Sequence, residues 1–158
     1  RAVQPGGKAT ALLARTLEDR LRQSLDRLFR LLGLRYPPGP IYAAYLAVTH
    51  RRSEEYAPAL EFLDNILDQD LKTIVLPMVD GSPYLMEIGR DVFGIEAPDL
   101  ESAIRHQLGL QDEWLVACAV AAAAELQLRR LRRDIAAVTE RGSAEVAQVA
   151  REAMAALA

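Results

Sequence analysis

Cysteine is almost missing from this chain of 158 residues, where Cys118 stands alone. One thiol excludes an internal disulfide framework and makes a reducing compartment the natural setting. Cys118 falls on the apolar phase of its segment, so it reads as a buried, inert thiol. Long hydrophobic runs are missing too. The longest, Trp114 to Ala124, is mostly alanine and about half of the ~20 residues that a membrane span needs. A large excess of either charge sign is missing as well: the formal net charge of -3 gives no global reason to expect nucleic acid or an anionic membrane.

The motifs of catalysis are equally sparse. Gly6-Gly7-Lys8 lacks the first glycine of a phosphate-cradling loop and the strand before it. His50 and His106 are far apart and have no neighbouring ligand set, so no zinc pattern exists. Asp64, Asp68 and Asp70 form a small acidic group, but a calcium loop needs more oxygen ligands and a glycine at fixed spacing. No nucleophile elbow is present. The reading is a non-enzyme with no catalytic, cofactor-binding or metal-binding residues.

What the chain does have is helical periodicity. Half of it is apolar, yet the mean hydropathy is +0.01, an ordinary soluble composition that suffices for a core without metals or disulfides. Residues 1–8 read as a flexible linker and 9–158 as one helical domain. The chain opens on Arg1 rather than Met, which reads as a piece of a longer protein cut at a domain boundary.

A long helix is expected over 9–33, with Leu17, Leu21, Leu25, Leu28 and Leu32 as its buried stripe. The YPPGP segment, Tyr36 to Pro40, stops it. A second helix is expected over 41–50. The third is capped by Ser53, with Glu54 and Glu55 in its first turn and Pro58 near its start. The apolar run LKTIVLPMV could pass for a strand. No second strand exists to pair with it, so helix is preferred over 68–79. A fifth helix is expected over 82–93, then a GIEAP loop. Pro98-Asp99 opens a sixth, to about Leu108. Asp112 caps a seventh, over 113–126. The eighth covers 128–140 with Leu131, Ile135 and Val138 inward, and Gly142 and Ser143 separate it from the last.

One pattern recurs among these helices: an anchor, then residues four, seven and eight places on. The sets are Trp114, Cys118, Ala121, Ala122; Val149, Ala153, Ala156, Leu157; and Tyr56, Leu60, Leu63, Asp64, with a weaker copy at Leu85, Gly89, Val92, Phe93. Anchors 29 to 35 residues apart suggest stacked helical hairpins. The expected fold is therefore all-α, a right-handed HEAT-like solenoid of about nine helices in about four hairpins. Trp114 would anchor the edge of a tight alanine-lined seam.

Two clusters are candidate partner-binding residues. Arg129, Arg130, Arg132 and Arg133 form the one concentrated charge run, a solvated face or a patch for acidic lipid, nucleic acid or an acidic partner. No aromatics are interleaved for base stacking. Tyr36, Tyr42 and Tyr45 cluster at the YPPGP turn, either as packing or as a hot spot for a protein partner.

DEWLVACAVAAAAELQ (Asp112 to Gln127) and VAREAMAAL (Val149 to Leu157) resemble HEAT repeats. Leu115 and Ala150 stand where such repeats often carry arginine. LFRLLGLRYPPGPIYAAYLAV (Leu28 to Val48) and YAPALEFLDNILDQDLKTIVLPMVD (Tyr56 to Asp80) resemble the soluble HEAT-like extension of bacterial ATP/ADP-translocase-like (NTP/NDP exchange) transporters. That resemblance implies a membrane domain upstream, a cyclic-nucleotide-binding domain downstream, and a cytoplasmic module tethered at the membrane's inner face. It implies a scaffold contacting a protein partner or neighbouring domains of its own chain, with no cofactor. Two rivals share the repeat: a HEAT-type nucleic-acid-binding or DNA-repair protein using the arginines, and a HEAT-like lyase acting on a tetrapyrrole.

Overall fold

A computed structural model describes residues 7–50, 54–81, 85–94 and 99–158. Among them the chain is all-helical: α1 (Lys8–Arg35), α2 (Pro38–Thr49), α3 (Tyr56–Ile66), α4 (Gln69–Asp80), α5 (Leu85–Phe93), α6 (Leu100–Leu108), α7 (Glu113–Glu125), α8 (Arg132–Arg141) and α9 (Ala144–Ala156), with a 3-10 turn at Arg129–Leu131 before α8. The apolar run in α4 is helical as expected. Pro77 lies inside that helix rather than at its end; near the last turn it removes a single intrahelical donor. Gly81 ends α4 at φ 70°, a left-handed conformation that suits a residue without Cβ.

Several boundaries follow from local chemistry. Asp99 accepts from Ser102 N–H, Asp112 from Leu115 N–H and Ser143 from Val146 N–H, so three helices start where the sequence places a cap. Pro38 belongs to the first turn of α2, three residues earlier than expected, because first-turn residues need no N–H donor. Glu54 and Glu55 precede α3 instead of lying in its first turn, and Glu55 is the N-cap. Ser53, the loop residues 95–98 and most of the expected 1–8 linker lie outside the described residues, although Lys8 already begins α1.

The chain packs as two compact units. The first holds residues 1–20 and 98–158, the second residues 21–97. Each buries its own stretch of α1. Leu13 and Thr16 are buried in the first, Phe29 and Leu32 in the second. The expected leucine stripe is thereby corrected. Leu17 is 38 % and Leu21 57 % exposed, because burial follows each unit separately rather than one phase along the whole helix.

In the first unit α7 is buried nearly all round, through Leu115, Val116, Cys118, Ala119, Val120, Ala122 and Ala123. A helix apolar on every side fits a core position. α6 packs on α7 and α8 on α9; in addition α6 packs on α8 and α7 on α9. The Arg132 guanidinium, at the start of α8, reaches the Leu157 carbonyl at the end of α9, so α8 and α9 run antiparallel. The α6–α7 pair and the α8–α9 pair have buried residues that match at an offset of 31. The caps Asp112 and Ser143 and the buried pairs Ile104 and Ile135, Leu115 and Val146, Ala119 and Ala150, and Ala122 and Ala153 all obey it.

This offset corrects the sequence register. Trp114, expected as a buried anchor, is 57 % exposed. It heads the outward stripe of α7, followed by Ala117, Ala121 and Glu125, whereas Leu115 and Ala119 face the core. Val149 is half-buried and Ala156 exposed; the inward set of α9 is Val146, Ala150, Ala153 and Leu157. In α3 the inward set is Ala59, Leu63 and, just beyond the helix, Leu67, rather than one led by Tyr56. Val92 of the fourth set is exposed.

The second unit is built on Phe29, Leu32, Ile41, Ala44, Val48, Leu63, Val75 and Val79. Helices adjacent in sequence pack on each other, α2 on α3, α3 on α4 and α4 on α5. The Tyr56 hydroxyl donates to the Val79 carbonyl at 3.3 Å, tying the start of α3 to the end of α4.

Candidate partner-binding groove

The YPPGP turn folds α2 back beside the end of α1. Gly33 faces Pro38 there, and a Cβ added to it would sit 3.7 Å from that of Pro38, in ordinary van der Waals contact. Between the two helices an open groove of about 400 Å³ remains, within the second unit. Phe29, Gly33 and Ile41 line its inner part, Leu34, Pro38, Tyr42 and Tyr45 lie along it, and the Asp26–Arg30 ion pair, 2.9 Å, adds charge. Phe29 meets Tyr45 with ring centroids 5.5 Å apart, and Tyr45 stacks on Tyr42 at 6.2 Å. Tyr42 is 60 % and Leu34 85 % exposed. Leu31 and Leu46, on the same two helices, are exposed as well. Apolar and aromatic side chains held open to water at a concave surface are what protein partners use as anchors.

The expected tyrosine cluster therefore divides. Tyr42 and Tyr45 belong to the groove. Tyr36 is turned to structural work: its hydroxyl donates to the Asp68 carboxylate at 2.9 Å and accepts from the Asp68 N–H at 3.1 Å. Arg35 pairs with the same carboxylate, and its guanidinium lies 5.8 Å from the centre of the Tyr36 ring. Phe29, Gly33, Leu34 and Ile41 were missed by the sequence reading. Their signal was a surplus of leucines, with Leu31 and Leu34 off the core phase of α1.

The arginine run also divides. Leu131 is wholly buried and fixes the turn. Arg132 donates to the Leu157 carbonyl at 2.8 Å, where a cation meets the negative end of α9. Arg129, Arg130 and Arg133 are exposed. Arg20 pairs with Asp112 and Arg30 with Asp26.

The titratable groups with shifted values are structural. Hydrogen bonds from the Thr10 hydroxyl and the Ala9 and Thr10 amides hold the Glu125 carboxyl below its usual range. The Ser102 amide does the same for Asp99, and the hydrogen bond to Asp134 raises Arg105. Asp64 pairs with Lys72, and the His50 ring lies 2.7 Å from the Leu46 carbonyl. Among the described residues no three His, Cys, Asp or Glu side chains are grouped to hold a metal ion, and no helix is long and apolar enough to cross a membrane. Comparison of the chain with protein-family models, with curated proteins and with solved structures gives no match.

Proposed function

We propose that this chain is a non-catalytic helical-repeat interaction module, and that its working surface is the groove between α1 and α2. The groove carries the reading. It offers an aromatic and aliphatic surface already open, at the size of a few side chains, without reactive groups converging on it. The occupant that suits it is a short apolar segment of a protein partner or of a neighbouring domain of the same chain.

The HEAT-like solenoid belongs to the same proposal. Its support is the layered packing of α6 on α8 and α7 on α9 at a 31-residue offset, the arrangement of two stacked hairpins. The placement beside a membrane domain and a cyclic-nucleotide sensor in a translocase-like transporter, at the cytoplasmic face, rests on the resemblance of residues 28–48 and 56–80 alone.

Photocrosslinking tests the module. A photoreactive residue at position 34 or 42 of the full-length protein in cells is expected to give one discrete adduct, lost with Tyr45→Ala. A photoreactive residue at exposed Glu61, outside the groove, is expected to give none. Adducts equally abundant at all three positions would remove the groove as the surface. Nucleotide hydrolysis by the purified chain that disappears with a point substitution would overturn the non-catalytic reading.

A further inference from the structure

We propose that Arg129, Arg130 and Arg133 form a second docking patch, one that takes an acidic peptide segment of a protein partner. The patch lies wholly in the first unit and does not depend on the groove. Its geometry follows from the turn that carries it. Leu131, fully buried, points inward, and Arg132 is diverted to the end of α9. Arg133 follows Arg130 by three positions and Arg129 by four, whereas Arg129 and Arg130 are adjacent, so the three exposed guanidinium groups share one short turn and the start of α8.

Elsewhere in the same unit, two arginines are matched. Arg20 pairs with Asp112, and Arg105 with both Glu101 and Asp134. Asp134 is the one acid in the first turn of α8, and Arg105 of α6 engages it. Neither an ion pair nor a hydrogen bond to another described residue involves the Arg129, Arg130 or Arg133 side chains. They also stand at the start of α8, where the helix dipole opposes positive charge. Folding gains from Leu131 and Arg132, but it gives no reason for three further guanidinium groups at that end.

Guanidinium groups match carboxylates in planar, two-point geometry. The choice of a peptide over other anions rests on the surroundings. Leu128 is half-buried and Leu131 buried, so no adjacent apolar side chain is offered to a lipid bilayer. No aromatic residue lies between Glu125 and Arg141 to stack on bases. The net charge of -3 opposes an extended polyanion, whereas a short acidic segment meets only the field within about one Debye length, ~8 Å.

The test is fluorescence anisotropy of a labelled octaglutamate peptide with the whole chain at low salt. Arg129→Gln, Arg130→Gln and Arg133→Gln combined should weaken binding about tenfold, and each alone about two- to threefold. Leu34→Gln, in the groove, should leave it unchanged, which separates failure of this proposal from failure of the groove. Circular dichroism confirms that each variant is folded, and the single variants keep the test decisive if the triple one is not. Absence of binding, loss of affinity under twofold in the variants, or tighter binding to duplex DNA or to phosphatidylglycerol vesicles would each overturn the proposal.

Discussion

Two single residues report on the packing of the first unit. Trp114 is the one tryptophan of the chain and is more than half exposed, although a large aromatic on an alanine-rich helix invites a buried reading. Its fluorescence should be water-like and readily quenched by acrylamide in the native protein; a blue-shifted, protected emission would restore it to the core. Glu125 does the opposite of what its exposure suggests. From the last turn of α7 its carboxylate accepts from the Ala9 and Thr10 amides at 3.0 and 2.9 Å, and from the Thr10 hydroxyl at 2.6 Å. Helix α1 is thus capped from another helix. Because these bonds favour the ionised form and lower the folded pKa, their contribution is present above the ordinary glutamate pKa of about 4.3 and is lost as pH falls through the lower folded value. Glu125→Ala should remove amide protection at Ala9 and Thr10 at neutral pH. Wild-type protein should lose it only on acidification, and equal protection in both would show that the cap is idle.

At the scale of elements, the seam between α7 and α9 is set by small side chains. Ala119, Ala122, Ala123 and Ala150 have no accessible surface. Ala150→Leu would force three extra carbons into that contact and should destabilise by about 1–3 kcal/mol. Ala156→Leu, on the exposed side of the same helix, should stay within about 0.5 kcal/mol. Denaturant unfolding of the two variants distinguishes them, and equal stability would mean that the seam is loose. The alanines also explain which parts of the fold were legible in the sequence. Asp99, Asp112 and Ser143 announced their helices because a capping side chain has a position-specific partner. Leu131, Ile135 and Val138 were read correctly because the charged residues between them leave a single apolar phase. In α7 and α9 almost every position is small and apolar, so burial could be assigned in several registers. The anchor fell on Trp114 and Val149, 35 apart, where the buried residues of α7 and α9 match at an offset of 31. The groove was half legible for a related reason. Tyr42 and Tyr45 stood out as aromatics, but Leu34 looks in sequence like any other core leucine.

For the molecule as a whole, charge and exposed apolar surface act together. The formal net charge is only -3 and the isoelectric point is about 5.5, so mutual repulsion between molecules is weak at neutral pH and vanishes slightly below it. What then governs association is the apolar surface left open. In the second unit that surface is concentrated on α1 and α2, in Leu31, Leu34, Tyr42 and Leu46. Light scattering against pH should accordingly show self-association rising to a maximum near pH 5.5. Leu34→Lys should lower that maximum by removing the most exposed of these leucines, and its added positive charge should move the maximum to higher pH. Glu61→Lys adds the same charge on an exposed position of α3 and removes a negative one, so it should move the maximum further upward while leaving its height nearly unchanged. If Glu61→Lys suppresses association as strongly as Leu34→Lys, charge alone governs it, and the open face of α1 and α2 contributes nothing to how these molecules meet.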